Sequence, residues 1–327
     1  VPRSLAYSLG AAGLLALILV PFFPQVIYPV FVMRVMCLAL FACAFNILLG
    51  QTGILSFGHA AFFGSSAYFC GYMLKEQGLS PEIAILTGVV SASLLGAGIG
   101  ALATRRSGIY LAMITLALSQ LVYFLFLRLP WTHAEDGMQQ IPRGVFFGVL
   151  DLNSDKTLYF FVLILTLLAL ALIHRIIHSP FGEVLRAIRE HEPRAKSLGF
   201  PVARYKILAF TLSAGLAGLA GSLKAIIFQV ASLRDVHWSM SGDVILMTLL
   251  GGMNSVFGPA LGAALISALY HYLDFLGGWV TIMVGTIFIL CVLAFRKGIV
   301  GELQAALTTR RSDTASNDKK DSENATN

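Results

Sequence analysis

"LYFFVLILTLLALALIHRII", residues 158–177, holds no acid, and its only Lys or Arg, Arg175, comes in the last turn. A twenty-residue helix rises about 30 Å, the thickness of a bilayer's hydrocarbon core. Similar apolar runs flank it. Leu5–Phe23, Pro29–Leu49, Ala60–Leu74, Ile83–Ala103 and Gly108–Leu127 precede it; Ile207–Phe228, Ser255–Tyr272 and Trp279–Phe295 follow. The chain is 57% apolar and 12% charged over 327 residues, more apolar surface than one soluble core can hide. The expected fold is all-α, a polytopic transmembrane helical bundle of about nine or ten membrane segments, some broken or re-entrant. No spaced ten-residue alternation marks a transmembrane barrel.

Leu5–Phe23, behind Arg3, has the outline of a signal peptide. Pro21 and Pro24 close it and no small-x-small cleavage site follows, so it reads as a first span. Cys37, Cys43, Cys70 and Cys291 lie inside apolar runs without ligand spacing and read as small hydrophobes; no metal site is expected.

The net charge of +6 is unevenly spread. Basic residues gather at Arg105–Arg106, Arg175–Lys206, Arg296–Lys297 and Arg310–Arg311, whereas the loop Pro130–Lys156 carries Glu135, Asp136, Asp151 and Asp155. The positive-inside rule puts the basic clusters and both termini in the cytoplasm and the acidic loop outside; the expected location is the cell inner (cytoplasmic) membrane. Topology accounts for the basic excess, so no nucleic-acid partner is inferred. Residues 1–307 form the expected membrane domain, 178–204 a cytoplasmic loop within it, and the polar stretch 308–327 a disordered cytoplasmic tail. Between Lys206 and Arg296 the crossings must be even, yet only three long runs are present. The leftover "DVILMTLLGG", Asp243–Gly252, is too short to span and reads as a half-helix or part of a broken span.

Two stretches look like breaks. "GQTGILSFGHAAFFG", Gly50–Gly64, and "GGMNSVFGPALGAAL", Gly251–Leu265, both contain Gly-x-x-Ser followed within three residues by glycine. A helix broken at membrane depth frees backbone groups that only protein or a water-filled cavity can satisfy, and paired breaks point to a translocation site. The other reading is glycine used for close helix packing, as at Gly96, Gly100 and Gly251. Gln51, Ser56 and His59 in the first break, with Thr115 and Ser119 on one face of the next polar-striped helix, are the residues placed along a solute pathway. Each also fits a packing role, and His59 fits a partner for a freed carbonyl rather than a metal ligand.

An ion-driven carrier ordinarily needs an ionisable group inside the membrane. The nine runs contain no Asp or Glu between their ends, which favours energy supplied by a cytoplasmic partner. The chain has no phosphate-cradling Gly-x-x-x-x-Gly-Lys-Ser/Thr loop and no catalytic constellation, so it is not read as an enzyme. The docking surface is sought in "FGEVLRAIREHEPRAKSLGF", 181–200, where seven of twenty residues are charged. Gly182–His191 reads as one short helix with Val184, Leu185 and Ile188 on a face. Pro193 starts a second and Gly199 caps it. Such a pair would present apolar knobs ringed by Arg186, Arg189, Glu190 and Arg194; an ordinary solvated loop is the alternative.

Three stretches carry a resemblance: "GQTGILSFGHAAFFGSSAY" (50–68), "RRSGIYLAMITLALSQ" (105–120) and "SPFGEVLRAIREHEPRAKSLGFPVARYKILAFTLSAGLAGLAGSL" (179–223). The sequence resembles the membrane permease subunit of branched-chain amino acid ABC importers, the LivM type. The resemblance implies that Phe181–Gly199 is a coupling helix against a cytoplasmic ATPase, with Glu183, Leu185, Arg186, Ile188 and Arg189 on it. Glu192, Ala195 and Gly199 would sit on the recurring acid-alanine-glycine frame. It implies a LivH-like permease partner, two LivG/LivF-like ATPase subunits that hold ATP and Mg, and an extracytoplasmic solute-binding protein. This chain would bind no cofactor itself. The implied activity is inward movement of branched-chain or related small amino acids by alternating access. Urea or short-chain amides, an ion-coupled secondary carrier and a non-transporting scaffold remain as alternatives. The family typically carries Thr-Gly-Gly-x-Asp-Gly in the external loop; here "THAEDG" keeps Asp136 and Gly137, expected to face the binding protein, but replaces the two glycines by His133 and Ala134.

Overall fold

The computed structural model describes residues 13, 15–23, 28–253, 255–294 and 298. Much of the expected first span Leu5–Phe23, both termini and the tail 308–327 lie outside the described residues.

Helix α1 (Pro29–Asn46) starts on a proline, whose missing N–H is not needed there, and runs on through π-type turns at Ile47–Thr52. Then come α2 (His59–Lys75), α3 (Pro81–Ala103), α4 (Ile109–Arg128), α5 (Asp155–Ile177), α6 (Pro180–Ser197) and α7 (Val202–Phe228). The one-turn α8 (Leu233–Val236) leads to α9 (Trp238–Gly251), α10 (Gly258–Tyr272) and α11 (Val280–Ala294). Among the described residues five helices are long and apolar enough to cross a membrane: α1 with its π extension, α3, α4, α5 and α7.

Burial sorts these five into two layers. The most apolar windows of α1 and α7 are 83% and 78% buried, while those of α3, α4 and α5 are only 33–39% buried. Helix α7 takes the centre because its inward face is made of small residues. A Cβ on Gly218 would lie 2.5 Å from that of Ala92 on α3, so the two backbones meet over glycine. Gly96 against Ala214 and Gly100 against Phe210 continue this seam, as the packing reading of those glycines required. On the outer helices, Leu86, Val90 and Leu94 of α3 and Ile164, Leu168 and Leu172 of α5 recur every four residues and are exposed. A soluble protein would bury such stripes; a bilayer solvates them.

One end of the bundle carries short strands. β1 (Met138–Gln139) pairs antiparallel with β4 (Val230–Ala231), and β2 (Val145–Phe146) with β3 (Leu150–Asp151). Lys75 Nζ donates to the Gln139 carbonyl at 2.9 Å, and Arg143 pairs with Asp155 at 3.0 Å, fixing α2 and α5 to this strand end. The opposite, basic end carries α6.

From Lys206 onward the described residues hold α7, long enough to cross a membrane, and, besides the one-turn α8, three shorter helices, α9, α10 and α11. The segment Asp243–Gly252 belongs to a helix longer than the apolar run suggested that ends at the second break, in keeping with its reading as part of a broken span. It is the later part of α9, a 14-residue helix that begins at Trp238, and the polar start His237–Ser241 hid it from an apolar-run count. Helices α9 and α10 pack antiparallel: a Cβ on Gly251 would lie 2.5 Å from the Gly258 carbonyl carbon, and the Tyr270 hydroxyl donates to Asp243 at 3.1 Å.

Candidate functional site

At Ile47–Thr52 the α1 ladder loosens into π-type turns and stops at Gly53, whose φ of +69° lies in the left-handed region. Residues 53–58 return without helical structure, and α2 starts at His59. The His59 ring lies 5.0 Å from that of Phe45 and 6.0 Å from that of Phe41, so α2 begins roughly two turns back from the end of α1, inside the bundle. Amides freed by the break are taken up by side chains. Phe57 N donates to Thr115 Oγ1 at 3.1 Å, Gly58 N to Ser56 Oγ at 3.3 Å, and Ala60 N to Ser241 Oγ at 2.9 Å. Ser213 Oγ donates to the Ala44 carbonyl at 2.5 Å and meets His59 Nε2 at 3.0 Å.

The second break repeats the device. Gly252 has φ +104°, and Ser255 Oγ accepts from Gly258 N at 3.1 Å as α10 begins. In each Gly-x-x-Ser the glycine turns the chain and the serine hydroxyl accepts from a backbone amide just ahead, where the next helix begins. The one-residue slip between the two motifs appears as a bond reaching Gly58 from Ser56 but Gly258 from Ser255. The breaks also touch: Asn46 Nδ2 donates to the Ser255 carbonyl at 3.0 Å.

The residues expected along a pathway are thus gathered around the first break. Ser56, His59, Thr115 and Ser119 are fully buried and Gln51 nearly so. Ser56, His59 and Thr115 are engaged in holding the break, Gln51 is held by Arg186, and Ser119 Oγ has no partner among the described residues. None of the five lines either large cavity described below.

Helix α6 lies across the basic end and is two helices in one. Ser179 Oγ caps its start by accepting from Gly182 N, His191 breaks it with φ −156° and ψ 86°, and Gly199 follows its end with φ +87°. That is the division expected from Pro193 and Gly199. The apolar face, however, points the other way from the docking expectation. Leu185, Ile188 and Ala195 are buried against this chain's own bundle, because α6 must cover Val202 and the start of α7. The surface of α6 and its C-terminal turn instead shows Glu183, Glu190, Arg194, Leu198 and Phe200.

Two arginines turn inward. Arg186 Nε donates to Gln51 Oε1 at 2.9 Å, and its Nη1 pairs with Glu183 at 3.1 Å; Arg189 donates to the Gly50 carbonyl. Arg189 thus meets a backbone carbonyl near the end of α1, and Arg186 the side-chain amide beside it. Glu192 links the second half of α6 to α7 through Lys206 at 2.7 Å, and also binds Lys196 at 3.0 Å. Burial raises the Glu192 pKa, but hydrogen bonds from Lys206 and Lys196 outweigh it, and the net shift is downward from the ordinary 4.5. A cavity of about 660 Å³ lies between α6, the first break and the start of α4, with Gly53, Ile109, Arg189 and Glu192 on its wall.

At the strand end, Asp136 is exposed. Gly137 has φ +68° and lies where a Cβ would come 2.6 Å from the Ala231 carbonyl oxygen, so the β1–β4 contact itself requires glycine. A second cavity, of about 680 Å³, opens here between α1, α7, α9 and α10. The nine apolar runs hold no acid between their ends, but the wall of this cavity carries one from the short helix beside them. Asp243 sits in the second turn of α9, a helix the run count missed. Ser241, which caps α2, was missed for the same reason.

The family model for the branched-chain amino acid transport system / permease component matches residues 29–294, from the first residue of α1 to the last of α11. The chain belongs to this family. Within it, the high-affinity branched-chain amino acid transport system permease protein LivM of Salmonella typhimurium is 30% identical over 279 residues, 78% of this chain and 65% of that protein. LivM of Escherichia coli is 28% identical over 278 residues, with the same shares. The ribose import permease protein RbsC of Bacillus subtilis is 26% identical over 249 residues, 71% of this chain and 73% of that protein. The chain therefore spans just under two thirds of the length of the two LivM relatives. No solved structure matches it. The breaks, α6 and both cavities all fall inside the permease-component match.

Proposed function

We propose that this chain is a membrane-spanning permease subunit of an ATP-powered importer for branched-chain or related small amino acids. The LivM relatives support the substrate class. The observation that carries the energy source is α6: a kinked, charged helix on the basic end whose Arg186 and Arg189 grip the end of an interrupted span. A push on α6 from outside the bundle is transmitted to the Gly50–Gly58 break, where α1 and α2 can move apart with few helical hydrogen bonds to lose.

In this reading the positive-inside rule sets α6 and the termini in the cytoplasm of the inner membrane and the strand end outside. A LivH-like permease completes the membrane unit, two LivG/LivF-like ATPases with ATP and Mg dock beneath α6, and a solute-binding protein meets the loop around Asp136 and Gly137. Gln51, Ser56, His59, Thr115 and Ser119 then act at the break that opens and closes. Alternating access is the expected mechanism.

Reconstitution with these partners in liposomes tests the reading. Amino-acid uptake and ATP hydrolysis that both require this subunit support it, and ATP-independent uptake by the subunit alone overturns it. Asp243 favours one second reading, an ion-coupled carrier; uptake by the lone chain that an ionophore abolishes would establish that instead.

A further inference from the structure

Six charged side chains line the strand-end cavity: Arg34, Lys224 and Arg234 against Asp235, Asp243 and Asp274. Lys224 and Asp235 neutralise one another at 2.5 Å, and the Ser232 amide and hydroxyl both donate to the same Asp235 oxygen at 3.1 Å. That pair ties α7 to α8. Arg34 on α1 and Arg234 on α8 are exposed and make no ion pair among the described residues. Asp243 accepts a hydrogen bond from the Tyr270 hydroxyl at 3.1 Å, and both guanidiniums line the same cavity wall. The remaining wall is apolar, with Leu38, Phe63, Met240 and Met247.

Asp243 is half-buried, and a charge withdrawn from water in a membrane domain costs several kcal/mol unless it is paired, so the groups facing it mark a site. Two open guanidiniums suit a carboxylate, which they can bind in bidentate fashion. Asp243 suits an ammonium, and the Leu38–Met247 wall suits an aliphatic side chain. The six charges sum to zero, so a zwitterion enters without adding net charge. A simple anion or cation leaves one pole unmatched, and an uncharged amide or urea leaves both. The volume of about 680 Å³ is within the range of small-molecule sites. At the floor, the Phe63 ring lies 4.6 Å from that of Phe41, which in turn lies 6.0 Å from that of His59. An aromatic layer thus separates this cavity from the first break.

We propose that the strand-end cavity binds a zwitterionic aliphatic amino acid, with Arg34 and Arg234 on its carboxylate and Asp243 on its ammonium. The assignment rests on the importer reading and adds a residue-level substrate site to it. The probe is L-leucine, applied to the wild-type chain in its assembled complex. Phenylglyoxal modification of Arg34 and Arg234, read by mass spectrometry, should slow at least about fivefold with saturating L-leucine and be unaffected by leucine amide, 4-methylpentanoate or urea. In the same complex Arg34→Gln, Arg234→Gln and Asp243→Asn should each lower L-leucine uptake about tenfold or more. Unprotected arginines overturn the site whatever the variants do, including variants that fail to assemble. Equal protection by leucine amide or 4-methylpentanoate overturns the zwitterion assignment. Normal uptake by all three variants overturns it as well. If wild-type complex moves no amino acid at all, the importer reading has failed, a result distinct from normal uptake with unprotected arginines.

Discussion

His133 and Ala134 have φ of +59° and +48°, a region that side chains with a Cβ avoid at a cost of about 1–2 kcal/mol each. These are the two positions where the LivM-type pattern has glycine. The substitution therefore has a backbone consequence before any consequence for a partner. His133→Gly and Ala134→Gly should each stabilise the chain by about 1 kcal/mol, read as a higher unfolding midpoint in detergent. An unchanged or lower midpoint for both would show that the turn tolerates its Cβ atoms. Glu192 offers a pH test. Its folded pKa lies below the ordinary 4.5, so its bridges to Lys206 and Lys196 are present in full above that value and are lost as pH falls through the depressed one. The unfolding midpoint should drop on acidification below about pH 4.5, and Glu192→Gln should remove part of that drop. The composition of these sites was readable in sequence, but not their geometry. A glycine pattern can announce a turn, whereas a buried lysine paired fourteen residues away cannot be distinguished from a surface one.

Interrupted helices are held by neighbours rather than by their own ladders. Ser241→Ala strips the acceptor from Ala60 N inside the bundle, and an unmet buried amide costs about 1–3 kcal/mol. Loss of thermal stability of that order is expected, with Ser107→Ala, at an exposed position, as the control. At Gly50 a Cβ would collide with the Asn46 side chain and come 2.5 Å from the Met253 carbonyl, where the two breaks touch. Gly50→Ala should destabilise by about 1–3 kcal/mol. Arg186→Gln removes the cationic grip of α6 on Gln51. It should speed hydrogen exchange in residues 50–58 while α3 to α5 keep their protection. Equal exchange in mutant and wild type would detach α6 from the break and remove the transmission argument. Both breaks and the α6 kink were foreseen from Gly, Ser and Pro placement, because such residues act locally. The burial of Leu185 and Ile188 was not. A hydrophobic face says that it will be covered, but not by which surface.

For the whole molecule, the exposed apolar stripes on α3 and α5 fit a lipid surround. Leu168→Arg, near the middle of α5 and facing outward, should cost about 2.5–3.5 kcal/mol in insertion and deplete the protein from carbonate-washed membranes. Leu168→Phe should not. Insertion of the arginine variant at wild-type levels would mean that this face is covered by protein rather than lipid.

The sequence by itself determined that the chain is a polytopic helical membrane protein, where its basic and acidic ends lie, and where its helices break. Each of these depends on hydrophobicity, charge or backbone preference within one short window. Only the tertiary structure decided that α1 and α7 are central, that α9 is a complete short helix, and that Ser56, His59 and Thr115 hold the first break together. It alone brought Arg34, Arg234 and Asp243 around one cavity. Those outcomes depend on which distant surfaces fit closely enough to exclude lipid and satisfy each other's polar groups, as in the Asn46–Ser255 hydrogen bond across 209 residues. Local patterns do not contain that information.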